Sequence, residues 1–355
     1  MPSVHQLLPS FGRGDAIGNE VAEIRDLLRS WGYKSEIFVE HVPPGRAHGA
    51  KSYMQYGQFS SADTVLIYHH SIGSALTRFI RTLPDRKVVL YHNITTYEWY
   101  AGVNDYLAYL LKTGREELAS LKNGASFALA DSEYNRLELE SLGFANTAVF
   151  PLMIDFSGYS QKPDQAIMEK MNDGYTNILF VGRISPNKCA DDLIKTYYCY
   201  KKFINPKSRL VIVGSHKGTE RYRDYLTKLV DGLGLEDVVM TGAVGFPELL
   251  AYYRSAGIFV SMSEHEGFCV PLLEAMHFNI PIIAYDSTAV PYTLGNAGLL
   301  FKEKDYLKIA ELINIVVTDA ELKDRLVRGG RQRLKEFDPA KTATILKSAI
   351  EQVLA

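Results

Sequence analysis

Two carboxylates flank a Gly-Phe turn in the run Ser263-Glu264-His265-Glu266-Gly267-Phe268-Cys269-Val270-Pro271-Leu272-Leu273-Glu274. The apolar residues 258–262 before it read as a strand, and Pro271 suits the first turn of a helix, where its fixed φ fits and its missing N–H costs nothing. A helix start near Val270 presents unpaired amides and a partial positive charge, which suits a phosphate or diphosphate. Carboxylates repel such an anion, so Glu266 and Glu274 need another partner. Hydroxyl groups supply one, because an ionised carboxylate is acceptor-only and takes hydrogen bonds from vicinal diols. A diphosphate with a polyol ring on either side is a sugar nucleotide.

A second cluster, Val181-Gly182-Arg183-Ile184-Ser185-Pro186-Asn187-Lys188, closes another apolar strand. Arg183 offers a planar fork and Lys188 a compact point charge, and on one strand-to-helix turn both can reach the non-bridging oxygens of a diphosphate. Isolated cations are usually solvated surface groups. The carboxylate segment downstream is what favours a shared site.

These two clusters resemble retaining glycosyltransferases, specifically glycosyltransferase family 4, through a Glu-x7-Glu signature at Glu266 and Glu274 and a Gly-Arg-x4-Lys element at Gly182, Arg183 and Lys188. The chain departs from that pattern with Cys269 and Val270 where Gly-Leu is usual, and with Cys189 where a glycine follows the lysine. The resemblance implies that Glu266 orients the donor sugar, with Gly267, Phe268, Cys269 and Val270 lining the donor loop and Glu274 holding the nucleotide side. Arg183 and Lys188 would stabilise the departing diphosphate. His92, ending the run Val88-Val89-Leu90-Tyr91, resembles the histidine that reaches the donor sugar from the other domain. Gly14 and Gly18 are comparable to the glycine loop after the first strand, Gly242, Ala243 and Val244 resemble the turn that meets the nucleotide base, and Gly214 is expected to line the same pocket. A tyrosine, Tyr292, replaces the acidic residue usual after Pro291, where the family carries a glycine pair ahead of the proline. Of His69 and His70, which lie on opposite faces of one strand, only one is expected to face the donor.

Short apolar runs alternate with helical periodicity along the chain, the pattern of parallel strands wrapped by helices. Strands are predicted at 4–8, 35–39, 64–68, 88–91, 127–130 and 148–150, and helices at 19–31, 75–83, 98–121 and 133–142. A polar stretch, 159–176, reads as an interdomain connection between a first domain at 1–158 and a second at 177–339. The second domain is expected to hold strands at 177–181, 210–213, 238–241, 258–262, 282–285 and 299–301. Continuous apolar strands are buried on both faces, as in doubly wound sheets. The class is therefore α/β, and the resemblance implies GT-B architecture, two Rossmann-like domains facing a central cleft, with a helix near 340–355 packing back on the first.

The chain has 355 residues, more than one core usually supports. A formal charge of −2 argues against a nucleic-acid partner. Cys189, Cys199 and Cys269 form no Cys-x-x-Cys pair, which points to a reducing, cytoplasmic setting. No leader and no membrane span are expected; peripheral contact with a membrane stays compatible. Neither an Asp-x-Asp element nor a metal-ligand spacing of His and Cys appears, so no metal or resident cofactor is expected, only the nucleotide sugar as co-substrate. The acceptor is expected to be a glycan or a lipid-linked sugar bound by the first domain. Two other readings fit the same residues: a sugar-nucleotide epimerase or hydrolase, and a non-catalytic binding subunit.

Overall fold

A computed structural model describes residues 2–12, 16–41 and 49–355. Among these residues thirteen strands form two wholly parallel sheets. The first holds β1 (Ser3–Ser10), β2 (Ile37–His41), β3 (Lys51–Ser52), β4 (Thr64–His70), β5 (Arg86–Tyr91), β6 (Ala125–Ala130) and β7 (Thr147–Val149), in the order β3-β2-β1-β4-β5-β6-β7. The second holds β8 (Thr176–Val181), β9 (Ser208–Val213), β10 (Val238–Gly242), β11 (Ile258–Ser261), β12 (Ile282–Tyr285) and β13 (Leu299–Phe301), in the order β10-β9-β8-β11-β12-β13. Each sheet is doubly wound, and its order reverses once, between β1 and β4 and between β8 and β11. Ligands of open parallel sheets bind at such switch points, outside the carboxyl ends of the strands.

The central strands are buried on both faces and mostly apolar, with Gln6 of β1 and His69 and His70 of β4 as buried polar exceptions. Ile178, Leu210, Ile212, Ile258, Val260 and Ile283 pack with Leu193, Ile194 and Tyr197 of the helix Ala190–Phe203 in the second core. In the first, Val65, Ile67, Val88, Leu90 and Leu129 meet Ile24 and Leu28 of the helix Ala16–Ser30. They also meet Leu346, Ile350 and Val353 of the last helix, Pro339–Leu354. Burying each such aliphatic side chain favours the folded chain by about 1.5–3 kcal/mol. Arg86, at the start of β5, donates to the carbonyls of Val353 and Leu354 and so ties down the end of that last helix.

The chain divides into two compact units, one of Met1–Glu98, Tyr106–Ile154 and Phe337–Ala355, the other of Trp99–Asp105 and Asp155–Glu336. The segment 159–176, expected as a connection, is folded into the second unit: the helix Gln165–Met171 packs on the helix Phe246–Ser255. A single helix over 98–121 is not observed either. A turn at Gly102, with φ of 74°, precedes the helix Asp105–Leu121. Trp99 and Val103 pack on the second core, Asn104 donates to the Gly218 carbonyl, and Arg221 donates to the Gly102 carbonyl. Periodicity registers local apolar spacing and carries no sign of which core a short segment joins.

Among the described residues no helix is long and apolar enough to cross a membrane.

Candidate active site

In the second unit the two clusters leave the sheet on either side of its switch point. The Arg183–Lys188 loop follows β8, and the Glu264–Cys269 loop follows β11. They are stitched together by Asn187, which is buried. Its side-chain amide donates to the His265 carbonyl at 3.1 Å, its own carbonyl accepts from the Glu264 amide at 2.9 Å, and its Oδ1 accepts from Ser185 at 2.8 Å. On this frame Lys188 Nζ lies 2.6 Å from Glu266 Oε2, with the two side chains 18% and 9% exposed. Burial works to lower the Lys188 pKa, but the facing Glu266 carboxylate, with Cys269 beside it, holds the ammonium above its usual value. Arg183 does not join this pair. It is exposed and donates to the Lys217 carbonyl at 3.0 Å.

The loops keep a backbone that suits glycine even where glycine is missing. Cys189, before the helix Ala190–Phe203, has φ of 50°, and Cys269, before the helix Val270–His277, has φ of 73°. Both are left-handed, a region that disfavours side chains by roughly 1–2 kcal/mol. Thr288 is a third case, at φ of 45°, and its Oγ1 accepts from the Glu266 amide at 2.9 Å. A β-branched residue there is an outlier of the kind found where surrounding structure holds a strained site in place. Cys189 and Cys269 therefore hold a conformation that glycine adopts without strain.

Glu274 lies in the helix Val270–His277 and is buried, neither a capping nor a solvent-facing residue. Its Oε1 accepts from Tyr159 at 2.6 Å and its Oε2 from Tyr253 at 2.5 Å. Burial raises its pKa, and the two phenol hydroxyls pull it back. Gly267 and Phe268 lie between the pair and the helix, Phe268 buried with its carbonyl accepting from Thr293. At the ends of β8, β9 and β10, the amide of Gly182 donates to Val213 and the amide of Gly214 to Gly242. A Cβ on Gly214 would stand 1.8 Å from the Gly182 carbonyl oxygen, so no other residue fits there. Gly242 has φ of 71°, and the chain then passes through Ala243, which is exposed, and Val244.

In the first unit the expectations fare differently. Gly18 is buried in the first turn of the helix Ala16–Ser30 and belongs to no loop, and Gly14 lies outside the described residues. His92 follows β5 as expected, but its ring is buried with both nitrogens engaged inside this unit: Nε2 lies 2.9 Å from His69 Nδ1, and Nδ1 lies 3.1 Å from Asp131. Of the adjacent histidines, His69 meets His92, while His70 turns to the Gly114 carbonyl at 2.9 Å.

Two groups of potential metal ligands that spacing along the chain did not reveal come together among the described residues, Glu20/His69/His92 and Cys189/Asp192/Glu264. Neither suits an ion. His69 and His92 face each other at a nitrogen separation that leaves room for a hydrogen only. In the other group the Lys304 ammonium already bridges Asp192 at 2.8 Å and Glu264, and burial raises the Cys189 thiol to about 12.

Sequence reasoning missed Asn187, Thr288, Tyr159, Tyr253 and the partners of His92. Asn187 carried a signal in its place between Pro186 and Lys188, a cluster already singled out, and His69 in its place at the end of a strand beside His70.

The two doubly wound units define a GT-B fold. Over its whole length the chain superposes on sucrose-phosphate synthase from Thermosynechococcus elongatus with a TM-score of 0.76 at 17% identity, covering 99% of each chain. Anabaena HepE, solved with UDP and glucose, gives 0.75 at 16% identity, covering 98% of this chain and 99% of the other. Residues 162–333, a little under half the chain, match the family model described as Glycosyl transferases group 1. O-antigen chain mannosyltransferase B of Escherichia coli is 26% identical over 265 residues, 71% of this chain and 67% of that protein. Capsular polysaccharide biosynthesis glycosyltransferase CapM of Staphylococcus aureus is 26% identical over 208 residues, 57% of this chain and 51% of its own length. The match to the serotype-specific mannosyltransferase WbdA of Escherichia coli spans only 24% of that larger protein. These relatives are glycosyltransferases by name.

Proposed function

We propose that the protein is a retaining glycosyltransferase of family 4 that moves a hexose-type sugar from a nucleoside-diphosphate sugar to a hydroxyl of a glycan or glycolipid in polysaccharide biosynthesis. The Lys188–Glu266 pair at the switch point of the second sheet carries this reading. It puts a held cation and a carboxylate side by side, next to the start of the helix Val270–His277, the combination a diphosphate joined to a polyol requires. Lys188, Arg183 and the first amides of that helix offset the charge growing on the leaving diphosphate, and Glu266 takes the sugar hydroxyls. Glu274, with Tyr159 and Tyr253, forms the nucleotide side of the pocket, together with Gly214, Gly242, Ala243 and Val244. No step needs a metal, since fixed positive charge already faces the leaving group. The relatives named as mannosyl- and capsular glycosyltransferases support the hexose and the glycan acceptor.

The test is to incubate the protein with a panel of nucleoside-diphosphate hexoses and measure free nucleoside diphosphate with and without a glycan or glycolipid acceptor. Acceptor-dependent release supports transfer. Equal release without acceptor would indicate a hydrolase, and no release with any donor a binding subunit.

A further inference from the structure

The partners of His92 form a continuous buried chain across the first sheet, from Gln6 on β1 through His69 on β4 and His92 after β5 to Asp131 after β6. Gln6 Nε2 donates to the Val21 carbonyl at 3.0 Å, which fixes the amide and turns its oxygen toward His69 Nε2, 3.0 Å away. His69 Nε2 must therefore carry a hydrogen. Burial holds that ring well below its ordinary pKa, so it stays neutral and its Nδ1 is bare. His92 Nε2, 2.9 Å from that bare nitrogen, must then carry a hydrogen too. The two ring planes lie within 7° and the ring centres are 5.2 Å apart, the spacing of imidazoles that share one plane and meet end to end. The contact is an in-line N–H···N bond.

Among the described residues the opposite nitrogen of His92 meets acceptors alone. Nδ1 lies 3.1 Å from both oxygens of Asp131 and 3.8 Å from Glu20 Oε2. A second hydrogen has to stand on that side, between Nδ1 and the Asp131 carboxylate.

We propose that this chain holds one buried proton more than neutral imidazoles and an ionised aspartate would carry. Gln6, His69 and Asp131 are the positioning residues that keep a hydrogen on Nε2 and another between Nδ1 and Asp131. Among the described residues the titratable groups around His92 are Glu20 from the helix Ala16–Ser30, His69 and His70 from β4, and Asp131 beyond β6. Burial raises the Asp131 carboxyl, and burial together with Asp131 raises Glu20 well above its usual value, so the retained proton agrees with its surroundings. On the reading of the protein as a glycosyltransferase, such a ring has no free lone pair and cannot accept the acceptor's proton. His92 is then no general base, and its place is structural to the first unit.

Long-range proton–nitrogen NMR of the full chain labelled with ¹⁵N-histidine tests this without an activity assay. His92, assigned by loss of its signals in His92→Gln, is expected to show a protonated Nε2 and a downfield proton between Nδ1 and Asp131, beside a His69 with a bare Nδ1. A bare Nε2 on His92, a protonated Nδ1 on His69, or no hydrogen on the Nδ1 side of His92 would overturn it. Asp131→Asn keeps an acceptor but removes the charge, and is expected to abolish the downfield signal. An unchanged spectrum in that variant also contradicts the proposal, and if the variant does not fold the wild-type spectrum alone decides. Either result leaves the transferase reading to its own assay.

Discussion

Lys188 Nζ lies 2.6 Å from Glu266 Oε2, joining the loop that leaves β8 to the loop that leaves β11. Each charge is the other's chief partner, so the two residues are expected to act together. Lys188→Ala strands a buried carboxylate and should destabilise the second unit by about 1–3 kcal/mol, the larger values known for fully buried pairs being reduced by the remaining exposure. Its turnover should fall on the order of 10²-fold or more. Glu266→Gln keeps shape and folding but should lose most transfer. Thermal melts and steady-state rates check both, and the double variant Lys188→Met/Glu266→Gln should recover stability without recovering rate. Arg183→Ala, at an exposed site, should leave the melt within about 0.5 kcal/mol while lowering the rate.

Tyr253→Phe removes the hydroxyl that donates to Glu274 Oε2 at 2.5 Å. An unsatisfied buried acceptor costs about 1–3 kcal/mol, and the loss applies to the charged form. Burial already raises Glu274, so removing a donor raises it further. The destabilisation should therefore be full at high pH and shrink as the carboxyl is protonated at low pH. Denaturant titrations at several pH values check this, and a gap that widens on acidification would contradict it.

Glu20 has the opposite balance: it is buried, no side chain among the described residues bonds either oxygen, and burial and Asp131 raise its pKa well above 4.5. A raised pKa means that its contribution to stability is fully present below the unfolded value and is lost as pH rises through the folded one. Glu20→Gln imitates the protonated form. The wild type is expected to lose melting temperature relative to that variant as pH is raised from 5 to 9, and parallel curves would show that Glu20 is ionised throughout.

Cys269 holds a left-handed backbone and is buried. Replacement by Gly relieves the strain but frees the unfolded chain, so stability should change by less than about 1 kcal/mol. Cys269→Val places a β-branched residue where φ is positive and should cost clearly more, with a loss of donor affinity as the Glu266 loop shifts. Melting curves and donor binding for the pair of variants check the contrast.

The legible parts of this molecule were those written in contiguous residues. Ile258, Val260 and Ile282 announce buried parallel strands by unbroken apolar runs, and Glu266, Lys188 and Pro271 announce a site through charge beside a helix start. What escaped depends on register and long-range packing. His69 pairs with Leu90 across β4 and β5, which sets it against His92 two residues beyond, and nothing in either local sequence states that register. Tyr159 read as part of a polar connection because its partner, Glu274, is distant in the chain. Trp99 and Val103 read as helix because a seven-residue segment follows local propensity in sequence and a distant core in space. Gly18 read as a loop glycine, yet the helix Ala16–Ser30 starts earlier because buried Val21, Ile24 and Leu28 continue its apolar stripe.

The most direct measurement is proton NMR of the product formed from an α-linked nucleoside-diphosphate hexose and a glycan acceptor. His92 is bonded at both ring nitrogens within the first unit and Glu266 is engaged by Lys188 within the second, so the proposed retaining reaction assigns neither of them as the acceptor's base. The account predicts an α-linked product accompanied by an equal amount of nucleoside diphosphate. A β-linked product would contradict it, showing inversion, which requires a general base opposite the leaving group.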